Sequence, residues 1–472
     1  MFENVLGQPG ILQLTQDINA GVLAPSLLFF GPPASGKGSA GLELARILSC
    51  ETPGSPWDCS CSACFHHRSL THPDVLLLGP RPFSAEIAAA AAAFDREPDS
   101  VSARLLFIRS IRKLLARFSP VLWEEDPMGN LKGYILALEE YLDELAFSVP
   151  ASASGGGNAE ALKKIKAGIL TNALKLEGEG LSETVPVEHI RRAAYWSRLA
   201  PAGKHKLLII ENADRMQDGA RNSILKILEE PPGTVTLLLT CARPESLIPT
   251  IVSRLRPYRF FPRDAASEEE VIRRVFRETW TGVKSPPGAG DRGQITAYLD
   301  SFLPVTQEKL HSLAAFFTAS LAAAAIGGLR KRGLSRDFAE LLALGKCGAP
   351  IAEQANLGRP VTDTKTLVSR ILEEAGNFES PGLFSRFLGR LLSLLSESFR
   401  GGEGELLEEL AYRDLWKGRI RDAEEASGIF NQKAALALER LFADLKRGII
   451  ELYSEAPENG EKQKGNTYAA IY

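Results

Sequence analysis

On first reading the chain lacks any run of about 18 or more apolar residues, so no bilayer-spanning helix is expected. The alanine-rich segment Ala88 to Ala93 is too short and is followed by charges. Basic excess is missing too. Against 58 Asp and Glu stand 55 Lys and Arg, a formal net charge of −3 with pI near 6.2. That balance excludes a global attraction to nucleic acid or an anionic membrane, so any DNA contact falls to a local patch or to partner subunits. The opening MFENVLGQPG has no basic stretch leading into an apolar one, so no signal peptide is expected and the reading is cytoplasmic. Cysteine is sparse at 6 residues, which argues against a disulfide-stapled scaffold. Four of the six fall within 15 positions, Cys50, Cys59, Cys61 and Cys64, while Cys241 and Cys347 stand alone. A tight cluster of this kind points first to metal.

What is present is ordinary globular material, 44% hydrophobic and 24% charged. The length of 472 residues suggests about three domains. Ile11 to Ala20 has helical spacing. Ser26-Leu-Leu-Phe-Phe30 is a continuous apolar run, as in a strand buried on both faces, and it leads through a glycine-rich turn into a helix over Ser39 to Ser49. Val75 to Leu78 is a second buried strand. From about 80 to 185 the chain turns alanine-rich and helical and contains a linker-like Ser152 to Gly157. The alternation then resumes: helix to Leu199, strand Lys206 to Ile210, helix Gly219 to Leu228, strand Thr234 to Thr240. Strands separated by such helices predict an α/β domain, a parallel sheet with helices on both faces, into which 80–185 is inserted. Beyond about 263 strand signals disappear, and helical segments follow one another, broken by loops such as Ser285 to Gly290 and Gly401 to Gly404. The end, Glu455 to Gly465, is polar and expected to fray.

Gly31-Pro32-Pro33-Ala34-Ser35-Gly36-Lys37 has the spacing G-x-x-x-x-G-K between a strand and a helix, the P-loop arrangement. Its backbone N–H groups and the helix amino terminus face a phosphate, and the Lys37 ammonium neutralises terminal oxygens. ATP or ADP is the expected ligand, with Gly31, Pro32, Ser35, Gly36, Lys37, Gly38 and Ser39 as its contacts. The alternative is a glycine turn that only joins strand to helix. The position after the lysine, usually Ser or Thr with its hydroxyl on Mg²⁺, is Gly38, and Ser39 one step later points elsewhere on a regular helix. A partner carboxylate is expected at a neighbouring strand end, and Leu207 to Ile210 is followed by Glu211, Asn212, Ala213 and Asp214. Asn212 stands where a second acid would polarise the attacking water, and an amide accepts no proton. Mg²⁺-dependent hydrolysis is therefore expected to be weak or absent, unless Ser39, Glu211 or Asp214 supplies the contacts. Glu211 and Asp214 as plain surface acids is the competing reading.

The run from Gln217 to Pro232 (QDGARNSILKILEEPP) resembles the signature helix of bacterial DNA polymerase III clamp-loader subunits, AAA+ proteins of the gamma/tau and delta-prime type. Phe2-Glu-Asn-Val-Leu-Gly-Gln8 is similar to the family's opening, the cysteines fall where the family has its zinc module, and Ser253-Arg254-Leu255 resembles its Ser-Arg-Cys motif. The resemblance covers 1–80 and 186–262 well. It is weaker in the helical tail, where Asn431 to Leu445 is similar to the last collar helix, and 80–185 resembles nothing placed. It implies an AAA+ domain over 1–262 with the zinc module at about 50–65, a helical lid over 263–345, a helical collar over 346–455 and a tail over 456–472. It implies a ring-like assembly with gamma/tau and delta subunits that uses ATP to place the sliding clamp on primed DNA. Thr240 then matches the sensor position, and Arg254 an arginine finger reaching a neighbour's ATP site. Gly38, Asn212, Thr71-His-Pro-Asp74 and the tail helix favour the delta-prime stator over the gamma/tau motor. The motor reading stays open, as does an AAA+ repair or recombination protein binding DNA directly.

The cysteine spacing C-x8-C-x-C-x2-C suits a closed, structural Zn²⁺ site. The family has two residues between its second and third cysteines and this chain one, so His66 is an alternative to Cys61 as ligand. Reduced, unliganded thiols are the other reading. Arg109, Arg112, Lys113 and Arg117 share one helical face, Lys163, Lys164 and Lys166 form a second basic group, and Arg330, Lys331 and Arg332 a third. Each is either a DNA-phosphate contact or, as is usual for such runs, a solvated face.

Overall fold

The computed structural model describes residues 1–123, 129, 131–147, 157–182, 184–279, 293–303, 305–333, 348–378, 382–398, 406–428 and 433–455. Cys347, the loops 285–290 and 401–404, the tail beyond 455 and all of the linker-like 152–157 except Gly157 lie outside the described residues. The chain divides into two compact units, Met1–Gln307 with Glu379–Leu383, and Glu308–Phe378 with Phe384–Tyr472.

In the first unit, helix α1 (Pro9–Asn19) precedes strand β1 (Ser26–Phe30), which runs through the glycine-rich turn into α2 (Lys37–Ser49). A short α3 (Ser62–Ser69) leads to β2 (Val75–Leu78). Four helices follow: α4 (Ser84–Arg96), α5 (Val101–Leu115), α6 (Leu131–Phe147) and α7 (Gly157–Gly180). The alternation then resumes with α8 (Val187–Arg198), β3 (Lys206–Ile210), α9 (Asp218–Glu229), β4 (Val235–Cys241), α10 (Pro249–Val252) and β5 (Arg256–Arg259). Helices α11 (Ala265–Phe276) and α12 (Gln294–Asp300) complete it. The strands form one sheet in the order β2-β3-β4-β1-β5, and every pairing is parallel.

The inner strands are buried nearly throughout and mostly apolar because both faces are covered. Leu27, Phe29, Leu207, Ile209 and Leu238 point into one core with Leu44 and Ile47 of α2. Leu28, Leu208, Ile210, Leu237 and Leu239 point into the other, with Ile190, Ile224 and Ile227 of α8 and α9. Each such side chain contributes about 1.5–3 kcal/mol on burial. The expected strands and their connecting helices all form. β5 was not anticipated. Its sequence Arg-Pro-Tyr-Arg buries only Tyr258, and at the sheet edge Pro257 need not donate to a second neighbour.

Helices α4 to α7 bring their own core, centred on Phe83, Phe94, Phe107, Ile111, Leu138, Leu142, Ile169 and Leu176. The segment between β2 and α8 is thus a helical body interrupting the sheet. The other face of α4 packs Ala89 and Ala93 against Ile272, Phe276, Ile295 and Tyr298 of α11 and α12.

The described part of the second unit is helical. Its long helix Gln307–Lys331 packs Phe317 edge-on against Phe387 and Phe442 at 6.2 and 5.6 Å between ring centres. Contrary to the expectation from sequence, this helix is long and apolar enough to cross a membrane by length and composition alone. Its apolar side chains, Leu310, Leu313, Phe316, Phe317 and Leu321 among them, are buried in the protein. A helix hydrophobic nearly all round is what a core position produces.

Candidate functional site

Strands β1, β3 and β4 deliver their carboxyl ends to one edge of the sheet. The turn after β1 ends at Gly36, whose φ of 96° is the left-handed conformation that glycine tolerates, and α2 starts at Lys37. The Lys37 ammonium folds back onto the loop and donates to the Gly31 and Pro32 carbonyls at 2.6 and 2.7 Å, while Ser35 Oγ donates to Pro32 O at 2.8 Å. Burial pushes the lysine down to about 8, with Cys241, Glu211 and Asp214 pulling it back up, so at neutral pH it is still an ammonium. Arg263 closes the loop from outside, donating to Ala34 O and, at 3.1 Å, to Leu6 O. Its Nη2 would lie 2.6 Å from a Cβ at position 36. Ser39 is exposed, one position past Gly38 on α2.

The acid at the end of β3 is engaged. Glu211, buried, is paired by Arg117 and, at 3.4 Å, by Arg81. Burial pushes its carboxyl up, but Arg117, Arg81 and Lys113 outweigh that and hold it below the usual range. Arg81 and Lys113 both pair Glu86 as well. Glu177 accepts from Phe83 N at 2.8 Å, and the Arg81 and Arg117 guanidiniums lie 5.4 and 5.5 Å from the Phe83 ring centre. A Cβ at position 38 would stand 2.6 Å from Glu211 Oε1, so the glycine after Lys37 makes room for this carboxylate.

Asn212 adopts φ 50°, ψ 54°, a left-handed conformation that Asn accepts more readily than other non-glycine residues. Its Nδ2 donates to Pro80 O at 2.6 Å, and its backbone N–H donates to Thr240 Oγ1 at 3.2 Å. The hydroxyl at the sensor-like position therefore braces the β3 end. Asp214 Oδ1 is buried without a hydrogen-bond partner among the described residues. The site brings together a loop of phosphate-cradle spacing and an acid, but the positions that ordinarily hold Mg²⁺ offer it no free side-chain oxygen, while Asp214 keeps this one carboxylate oxygen without a partner among the described residues. Gly38 has no side-chain oxygen, the Asn212 amide is committed to Pro80, and Glu211 is committed to two guanidiniums.

The basic face of α5 is neither solvated nor free for DNA. Arg109 donates to the His67 and Arg68 carbonyls, Arg112 to Ser69 O, Lys113 to Glu86, and Arg117 to Glu211. In the second group Lys163 and Lys164 are exposed, whereas Lys166 pairs Asp95. Arg330, Lys331 and Arg332 are exposed. Asp74 of Thr71-His-Pro-Asp74 accepts from the Ala202 and Gly203 amides at 2.9 and 2.6 Å, fixing the loop before β3.

Arg254 lies partly exposed just after α10, bonded to Thr250 O and to Glu229 Oε1 at 2.8 Å each. Leu255 beside it is buried in the core.

The sulfurs of Cys50, Cys59, Cys61 and Cys64 all lie within 4.8 Å of one another. Cys50 and Cys59 are 3.7 Å apart, close to the roughly 3.8 Å edge of a tetrahedron with metal–sulfur bonds near 2.3 Å. These four residues fit a bound metal ion. His66 is outside the set, its Nδ1 3.0 Å from Thr71 Oγ1 on the surface. Arg46, buried and paired with Glu43 at 2.7 Å, donates to Cys64 Sγ at 3.1 Å. It thereby ties the cluster to α2, the helix that begins at the phosphate loop.

The family described as "DNA polymerase III, delta subunit" matches residues 129–264, a stretch that begins inside the helical insertion and runs past Arg254. DNA polymerase III subunit delta' of Pseudomonas aeruginosa is 29% identical over 37% of this chain and 50% of its own. The Bacillus subtilis subunit delta' is 31% identical over 23% of this chain and 33% of its own. Over these stretches the chain is similar to the delta-prime subunits of bacterial DNA polymerase III. It spans half the length of the first of these relatives and a third of the second. A gamma subunit-related protein of Thermotoga maritima overlaps 57% of this chain and 81% of its own at 19% identity, with a TM-score of 0.29, too slight a likeness to build on.

Two outcomes follow from this geometry. Asn212→Glu should not create a hydrolytic base. It trades a tolerated left-handed conformation for a strained one and loses the Pro80 bond, together about 2 kcal/mol. Urea unfolding and a nucleotide-hydrolysis assay check both halves, and hydrolysis gained at unchanged stability would refute the account. For Glu86, burial raises the carboxyl, yet Arg81 and Lys113 bring it from 4.5 to about 2. The difference corresponds to about 3 kcal/mol, present above pH 4.5 and lost as pH falls toward 2. Glu86→Gln should lose that much at pH 7 and flatten the acid limb of a stability–pH series.

Proposed function

We propose that the chain is a subunit of the DNA polymerase III clamp loader and acts as a stator, supplying Arg254 to a neighbour's ATP site while its own site hydrolyses weakly or not at all. The observation that carries this reading is the pairing of Glu211 with Arg117 and Arg81. With Gly38 and Asn212 on either side, it removes the donors that a hydrolytic metal and water need. The similarity to the delta' subunits supports the assembly. In this reading gamma/tau and delta are the partners, and the sliding clamp and primed DNA are met through the complex. A guanidinium is suited to a trans-acting contact with a gamma-phosphate. The Arg254–Glu229 pair is a surface one, worth about 0–1 kcal/mol, so a neighbour's phosphate can displace the carboxylate. We assign residues 263–345 as lid, 346–455 as collar, and the four-cysteine cluster as a structural Zn²⁺ site. The motor alternative would draw on Ser39, Glu211 or Asp214, and direct DNA binding on an exposed basic group such as Arg330 to Arg332.

Arg254→Ala in the reconstituted complex should leave assembly intact and lower clamp-stimulated ATP hydrolysis by 10-fold or more, since an arginine finger contributes about 10³–10⁵ in rate. Unchanged turnover would remove Arg254 from that role. Elemental analysis of the purified chain should find zinc in equimolar amount, and stripping it should lower the melting temperature. A metal-free chain of unaltered stability would leave the thiols unliganded.

A further inference from the structure

The metal side of the phosphate loop is filled by side chains that belong neither to the sheet nor to the loop. Arg81 follows β2, and Arg117 lies in the single turn Ala116–Phe118 that ends α5. Both reach Glu211, across 130 and 94 residues of sequence. Arg81 Nη1 would be 3.7 Å from a Cβ at position 38, so this guanidinium lies beside the residue whose hydroxyl usually meets the metal. The Arg117 side chain is 3% exposed, and its Nε and Nη1 have no hydrogen-bond partner among the described residues. Two buried donors without acceptors are costly, and an oxygen acceptor, from water or an anion, would satisfy them. The acids are covered without a metal: Arg81, Lys113 and Arg117, with Arg109 beside Glu86, face Glu86, Glu177 and Glu211. A divalent cation at Glu211 would meet two guanidiniums already in place.

We propose that Arg81 and Arg117 occupy the position a divalent cation takes in a phosphate-loop site, so that this pocket takes the phosphates of a nucleoside di- or triphosphate free of metal. The cradle amides, Lys37 and the two arginines then supply the positive charge, and the magnesium complex of the same nucleotide is the poorer ligand. This rests on reading the loop as a nucleotide pocket. It does not rest on the stator role, which depends on Arg254 in the assembled complex and survives a negative result here.

The test is calorimetric titration of the full chain with ADP and ATP, once in EDTA and once in excess Mg²⁺. Binding should be seen in EDTA and weaken about tenfold in Mg²⁺, the reverse of an ordinary phosphate-loop protein. Arg81→Gln, a change at a partly exposed side chain, should weaken binding in EDTA and abolish the difference between the two conditions. A thermal melt separates that loss from misfolding, and Lys166→Gln serves as a charge control that should keep the native pattern. Tighter binding in Mg²⁺, or no binding in either buffer, would overturn the proposal.

Discussion

A carboxylate buried at the end of a central strand must be neutralised, and in this protein two arginines do it. Glu211 lies where the sheet presents its acid to the phosphate loop, and Arg117 and Arg81 cover it from a helical body inserted between β2 and α8. Breaking such a pair by removing one partner strands a charge in a dry place, at a cost of about 3–5 kcal/mol. The insertion is therefore anchored electrostatically to the acid at the end of β3. Gly38 follows from the same constraint, because a side chain there would collide with Glu211.

Helix α2 joins two sites that look separate in sequence. Its first residue is Lys37 of the phosphate loop, and the residue after its last is Cys50 of the thiol cluster. Arg46 on the same helix is buried, pairs Glu43 and donates to Cys64 Sγ, so the cluster holds the orientation of the helix whose amino terminus faces the phosphate position. A metal ion held by the four thiols would stiffen the loop from behind without touching it.

The basic run on α5 shows how a face can be misjudged. Spacing alone puts Arg109, Arg112, Lys113 and Arg117 on one side of a helix, and such a side is normally wet. Here its partners are the Arg68 and Ser69 carbonyls and the Glu86 and Glu211 carboxylates. None is a close neighbour on the same helix, so no local pattern points to them.

The sequence by itself determined the elements whose signals are local. Strands β1 to β4 are mostly apolar runs because both faces of each are covered, the glycine-rich turn has the spacing of a phosphate cradle, and four close cysteines declare a metal-sized cluster. The missing hydroxyl at 38 and the missing acid at 212 were equally plain. β5 escaped because an edge strand buries one side chain and carries a proline. Only the tertiary structure decided what fills the gap left by those missing groups, that Cys61 rather than His66 completes the thiol set, and that the apolar helix Gln307–Lys331 is core. The first and the last depend on groups that meet across tens to more than a hundred residues, and the thiol set on how a stretch of 15 residues turns back on itself; chain folding, not spacing, decides each.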